Sequence, residues 1–299
     1  MRKLLLVIIG LLGVVGLRAQ TADTAAIPKN WKLSGSTAIN MTQSSYSNWA
    51  SGGQNSVAGV ASGGIALDYA KNKWQWNTTL DLAYGLMVQD ESGRSKTDDK
   101  IEFASKLGHK ATKYWYYTIL TQFKTQFDKG YKSYPVEDAD KWNYTSRFMA
   151  PGYLTVSLGM DYNPNADFSL FISPITLRAT YVQDKMLSDL GSYGVDPGKK
   201  SLIQYGAFVK AIYQKKMVED RILFKTKLEL FTDWENKPQN IDVNWEVNFD
   251  FKVTKWLSTR LYTQMIYDDD IRIPDNDGSL KGPKLQFKEV LGIGLSYIF

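Results

Sequence analysis

The chain has no cysteine, a single histidine and no long apolar run beyond its first residues, and each lack narrows what it can be. Without cysteine there are no disulfides, no thiolate metal site and no lipid-modified N-terminal Cys. With His109 as the only histidine, a His-based metal cluster is excluded. Leu4 to Leu17 is the one sustained apolar stretch, and it is shorter than the roughly 20 residues that a permanent membrane helix needs. Preceded by Arg2 and Lys3 and followed by Ala19, it predicts a secretory signal over residues 1–19, with the mature chain starting at Gln20. Residues 20–30 then make a short N-terminal periplasmic segment, and residues 31–299 one domain without an internal boundary.

An excess of charge of one sign is also missing. Removing Arg2, Lys3 and Arg18 with the signal takes 36 Lys and Arg to 33, against 31 Asp and Glu. So neutral a mature chain gives no reason to expect nucleic acid as a partner. Gly191, Gly194, Pro197 and Gly198 punctuate a loop, but no helix follows to cradle a phosphate, and no cofactor is expected.

What is present is alternation. Ile241, Val243, Trp245, Val247, Phe249, Phe251 and Val253 interleave with Asp242, Asn244, Glu246, Asn248, Asp250 and Lys252, a period of two that marks one two-faced strand. Tilted near 40°, such a strand rises roughly 30 Å, the depth of a hydrocarbon layer with its interfaces. The same reading predicts twelve strands, near 31–42, 56–70, 73–90, 99–111, 114–128, 152–162, 167–182, 200–214, 220–234, 240–254, 256–268 and 284–299. Eight of the nine prolines fall outside them. At Pro174 the apolar parity changes, from Phe168, Leu170 and Ile172 to Ile175, Leu177 and Ala179, so Ser173 and Pro174 are expected to form a bulge holding one extra residue.

Connections alternate in length: short near 71–73, 110–113, 163–166, 215–219 and 254–255, and mostly longer near 43–55, 91–98, 129–151, 183–199, 235–239 and 269–283. Short periplasmic turns, longer outer loops and an even strand count define an antiparallel outer-membrane β-barrel with both termini in the periplasm. Alternation alone also fits a soluble sandwich or a lipocalin-like barrel with apolar residues inside. Strand number decides, because twelve strands enclose a lumen too wide for aliphatic packing alone; the apolar set should face lipid and the polar set a wet interior. Trp31, Trp74, Trp76, Tyr114, Trp115, Trp256 and Tyr297, near strand ends, are expected in aromatic girdles at both interfaces. Leu291, Ile293, Leu295, Tyr297 and Phe299 form one face of the last strand, with Phe299 the terminal aromatic of the kind that outer-membrane assembly machinery reads.

Several segments resemble a known family. They are Asn48-Trp49-Ala50-Ser51-Gly52-Gly53-Gln54-Asn55-Ser56, Phe148 to Leu154, Pro238 to Trp245, Tyr267-Asp268-Asp269-Asp270-Ile271 and Leu285 to Val290. Together they are similar to the Bacteroidetes outer-membrane proteins grouped as domain of unknown function 3078. The resemblance implies a barrel and an outer-membrane location, and no activity.

The side chains predicted to face the lumen include Asp68, Asp81, Glu102, Lys106, Lys124, Asp161, Arg178, Lys210, Lys225, Lys227, Glu229, Asp242, Glu246, Asp250, Lys252, Arg260 and Lys288. Both signs are mixed, which suggests structural pairs across strands that partly fill the interior; the functional alternative is a narrow diffusion path between the pairs. Asp268, Asp269, Asp270, Asp275 and Asp277, with Asn276, form a dense acidic loop. It could hold Ca²⁺ or bridge divalent ions of neighbouring lipopolysaccharide, although a solvated acidic loop is the simpler account. The small residues from Asn48 to Ser56, continued by Gly59, Gly63 and Gly64, suit either a loop folded into the lumen or a tight outer turn. A lipid hydrolase needs His beside a nucleophilic Ser near the outer leaflet, whereas His109 should face lipid at the periplasmic end. Three roles stay open: passage of small hydrophilic solutes, a closed barrel that docks a partner through its loops or periplasmic rim, and, last, a lipid hydrolase. The expected surroundings are outer-membrane lipid and lipopolysaccharide.

Overall fold

A computed structural model describes residues 30–45, 55–89, 93–131, 144–271 and 282–298. The long alternating segments form β1 (Trp31–Ser44), β2 (Ser56–Lys71), β3 (Trp74–Gln89), β4 (Gly93–Lys110) and β5 (Trp115–Thr125). After a small ribbon of β6 (Gly130–Tyr131) and β7 (Tyr144–Ser146) come β8 (Gly152–Asn165), β9 (Phe168–Tyr181) and β10 (Ser201–Met217). The chain ends with β11 (Ile222–Asp233), β12 (Asp242–Lys252), β13 (Leu257–Tyr267) and β14 (Gln286–Ile298). Twelve of these close into one antiparallel barrel in which sequence neighbours pair; β5 pairs β8 across the ribbon, and β1 meets β14.

Register fixes the two faces, because opposed residues in an antiparallel pair share a side. Leu33, Ile65, Leu82, Leu107, Ile119, Leu158, Ile203 and Leu291 all lie on the outer side and are exposed there. So large an apolar surface is unfavourable in water by about 25 cal/mol per Å² and identifies a lipid-facing wall. Closure satisfies the backbone groups that an open sheet would leave bare in hydrocarbon. No helix among the described residues is long and apolar enough to cross a membrane. The protein is therefore a membrane-spanning barrel of the outer-membrane type.

The predicted bulge is present. Leu158 opposes Ile175 and Met160 opposes Ile172, so β9 spends three residues where β8 spends two, and β10 shows the same offset between Gly206 and Phe208. The parity change keeps Ile172 and Ile175 both outside. Two expectations are corrected. Residues 93–98, expected in a loop, belong to β4; they project past the apolar band, where both faces are polar and no alternation marks a strand. The seven named aromatics gather at one interface instead of two. Trp31, Trp74 and Trp115 open their strands, Tyr114 and Trp256 lie in short turns, and Tyr297 nearly ends β14, all at the short-turn end. There Trp31 packs on Tyr69 and Trp76, with ring centroids 4.8 and 5.8 Å apart. Pro164 also falls within β8, one residue from its end.

At the opposite end the connections build a cap. Asp184 caps α1 (Lys185–Asp189) by accepting from the Leu187 N–H. Tyr144, Ala150, Val182, Leu187 and Val195 form a buried cluster above the barrel.

Candidate functional site

Every inward position that the alternation predicts lies on the lumen side of its strand, and closure brings residues together that no local pattern could pair. Glu229 on β11 accepts from Gln122 Nε2 at 3.0 Å and binds Lys124 Nζ at 2.5 Å and Lys210 Nζ at 3.1 Å. Glu102 on β4 binds Lys227 at 2.9 Å, Lys100 at 3.3 Å and Lys124 at 3.7 Å, and Lys227 also reaches Glu246 at 2.7 Å. One ionic network thus spans from β4 and β5 to β10, β11 and β12, across the lumen. Beside it, Lys106 meets Asp161 at 2.6 Å, and Ser169 Oγ donates to the same carboxylate at 3.0 Å. Desolvation makes such buried pairs nearly neutral in net stability, yet removing one partner strands a charge, so they fix one geometry.

The same half of the lumen holds an apolar filling that the sequence reading did not foresee. Leu120, Phe171, Phe208 and Phe231 point inward and bury one another, and the Arg178 guanidinium lies 4.0 Å over the Phe231 ring. On this side the expected wet interior gives way to a packed one. Here the cross-lumen ion pairs and long side chains supply the width that aliphatic groups alone could not.

The other half is built differently. On the inner faces of β14, β1 and β2 stand Gly292, Gly294, Ser296, Ser34, Ser36, Ala38, Asn40, Ala58, Ser62, Gly64 and Ala66, and except for Ala38 and Gly292 they are only half-buried. Among described barrel strands, the buried polar residues Glu102, Thr118, Gln122, Ser157, Asp161, Thr176, Gln204 and Glu229 all belong to β4 through β11, with Ser258 of β13 apart. The interior is asymmetric: packed on one side, lined mainly by small half-buried residues on the other. Facing the less packed side are Lys288, bound to Asp98 at 2.7 Å, and Arg260, whose Nε lies 2.5 Å from Asp250. Asp68 accepts from Asn77, and Asp81 leans over Gly64, where a Cβ would meet its carboxylate. Lys225 is exposed near the short-turn mouth of β11. Lys100, Gln122 and Gln204 are further inward polar groups that strict period-two counting along their strands would have found.

The acidic loop is only partly as expected. The carboxylates of Asp242, Asp268 and Asp270 lie within 4.8 Å of one another, while Asp269 turns aside to accept from Asn240 at 2.6 Å. Arg178 binds Asp242 at 2.6 Å and approaches Asp270 to 3.7 Å. Burial pushes the Asp268 carboxyl up to about 6; Arg178 opposes this and Asp242 reinforces it. Asp275 and Asp277, and likewise Asn48, Trp49, Gly52, Gly53 and Phe299, lie outside the described residues. Asn55 is half-buried just before β2, which Ser56 opens. In the cap, burial pushes the Asp184 carboxyl up, but the Tyr144 hydroxyl at 2.6 Å, the Leu187 N–H and Arg147 at 3.0 Å outweigh it and hold it below the usual carboxylate range. His109 packs edge-on to Trp74, 4.7 Å between centroids, on the outer face of the short-turn girdle. Across the strands it faces Trp74 and Tyr117, not a serine.

A closed twelve-stranded barrel with an apolar outer wall and an ionised interior defines an outer-membrane β-barrel protein. Residues 41–131 match the model of a family described as protein of unknown function DUF3078. No curated protein matches the chain. Among solved structures it is similar to an outer membrane channel from Pseudomonas putida F1, at 12% identity over 93% of this chain and 98% of that one, with a TM-score of 0.40. It is also similar to the translocator domain of the autotransporter NalP from Neisseria meningitidis, at 9% identity over 96% and 95% of the two chains, TM-score 0.36. A third likeness is to the NanC porin, at 8% identity over 88% and 98%, TM-score 0.37.

Proposed function

We propose that the barrel passes small hydrophilic solutes along a narrow, off-axis path beside the packed half of its lumen. The observation that supports this reading is the contrast between the two sides. The carboxylates Glu102, Asp161 and Glu229 and the rings of Phe171, Phe208 and Phe231 are buried from β4 to β11, while the inner faces of β14, β1 and β2 are mainly small and half-buried. Small side chains leave space, and polar ones beside it tolerate water.

Purified, folded protein in planar bilayers should give stable conductance steps. Ser62, at the inner centre of β2, opposes Ala38 and Ala83. Ser62→Trp should abolish most of the current, while the outward neighbour Ala61→Trp should leave it unchanged. Persistent silence of the folded barrel, or a Ser62→Trp current equal to the parent's, would remove the reading. A second reading, a closed barrel that docks a partner, is favoured by the ordered cap around Tyr144, Asp184 and Leu187; silence together with an intact cap would leave it in place.

A further inference from the structure

We infer that the passage selects for small anions, because the cations of the interior ion pairs face its water while their acidic partners sit against the wall. This rests on the reading of the barrel as a passage and adds the sign of what passes. In pair after pair the exposure of the two side chains differs in one direction. Lys288 is 37% exposed against 18% for Asp98, Lys100 36% against 7% for Glu102, and Arg260 33% against 19% for Asp250. Lys124 is 28% exposed against 7% for Glu229, and Lys106 21% against 0% for Asp161. Neutral pairing in the sum is therefore not neutral lining. The short carboxylate arms of Asp and Glu stay by the backbone that carries them, while Lys extends a flexible four-carbon stem and places its ammonium toward solvent.

The placement of these cations covers the length of the path. Lys288 and Lys100 stand toward the outer end, Lys106 nearer the short turns on the same strand as Lys100, and Arg260 only three residues from the start of β13. Opposing them, β1 and β2 contribute mainly Ser, Ala and Gly, so the positive lining meets few countercharges. The carboxylates on that side are Asp68, which accepts from Asn77 and stands opposite Lys32 across the strands, and Asp81, which leans over Gly64. At the outer mouth the pattern reverses, with Arg178 no more exposed than Asp242 and Asp270. That group lies on the packed side under the cap, where a Cβ on Gly194 would come within 3.1 Å of Asp270. A lining of fixed ammonium and guanidinium groups lowers the barrier for anions and raises it for cations of the same size.

The test is the reversal potential of the full barrel in a bilayer separating unequal KCl concentrations. A potential that reports chloride permeating severalfold faster than potassium supports the inference. Lys288→Gln combined with Arg260→Gln should bring the chloride-to-potassium ratio toward one, and Lys288→Arg should retain it. Glu289→Gln, on the outward face of β14, should leave it unchanged. Steady conductance that favours potassium, or a double variant whose ratio equals the parent's, overturns the anion selectivity while leaving the passage standing. Silence of the folded barrel overturns the passage and the selectivity with it.

Discussion

Replacing Glu229 with Gln tests how far the cross-lumen network holds the barrel in one geometry. Glu229 is buried and receives Gln122, Lys124, Lys210 and, at 3.3 Å, Asn244. Gln keeps the shape and can still accept from Gln122, so the loss isolates the charge. Lys124 retains Glu102 at 3.7 Å, whereas Lys210 loses the one ion pair it makes among the described residues. Breaking a buried pair from one side is unfavourable by about 3–5 kcal/mol, and the partial rescue of Lys124 places Glu229→Gln near 3 kcal/mol. The assay is reversible denaturant unfolding in detergent or lipid, followed by tryptophan fluorescence. The double variant Glu229→Gln with Lys210→Met removes both charges and should recover part of the loss, since an uncompensated buried cation is the main penalty. A single variant within about 0.5 kcal/mol of the parent, or a double variant whose loss equals the sum of the singles, would refute the reasoning that these charges are desolvated and coupled.

Three further outcomes follow from the same geometry. Phe208→Ala removes an inward ring from the packed half and should lower stability by about 3–5 kcal/mol while raising conductance, measured by unfolding and by single-channel recording. Gly294→Val should fail to close the barrel, because a Cβ there would come 2.1 Å from the Ile39 carbonyl in a seam of only six residue pairs; loss of the heat-sensitive mobility shift on unboiled gels would show it. Asp268 has a folded pKa of about 6, above the ordinary carboxyl value near 3.9, so the fold favours its neutral form. Its contribution therefore falls as pH rises from about 4 to about 6, and Asp268→Asn should stabilise the protein at neutral pH and flatten the denaturation midpoint across that window.

Much of the architecture was legible because membrane strands obey a simple rule. From Asp242 to Lys252 each residue declares its face by parity, and even the bulge at Ser173 and Pro174 was visible as a slip in that parity. Where the rule lapses, so does the reading: Arg94 to Asp98 lie beyond the apolar band and look like loop. The cap around Tyr144, Val182, Leu187 and Val195 is assembled from apolar residues too scattered to show any period. The inward set was readable for the same reason as the strands, but its pairings were not. Glu102 and Lys227 are 125 residues apart and meet only because closure sets β4 nearly opposite β11, a distance no local spacing encodes. Nor could parity tell that Phe171, Phe208 and Phe231 share one side of the lumen, since each stands alone among polar inward neighbours.

The division of the lumen follows from what each kind of side chain can do inside a wide cylinder. Twelve strands leave more room than one layer of side chains fills. A barrel that must avoid an empty, strained interior can plug the space or admit water to it. Here β4 to β11 do the first with rings and ion pairs whose hydrogen-bonding needs are met inside the protein, and the mostly small inner residues of β14, β1 and β2 leave room for the second. Mutual bracing matters to the open side as well, because buried charges have few alternative partners and hold the facing wall at a fixed distance. The width of the path we propose thus depends less on the residues that line it than on the packed half behind them. Lys100 and Lys124, two of the cations to which we assign the selectivity, are anchored in that same network through Glu102 and Glu229, so one structure would set both width and sign.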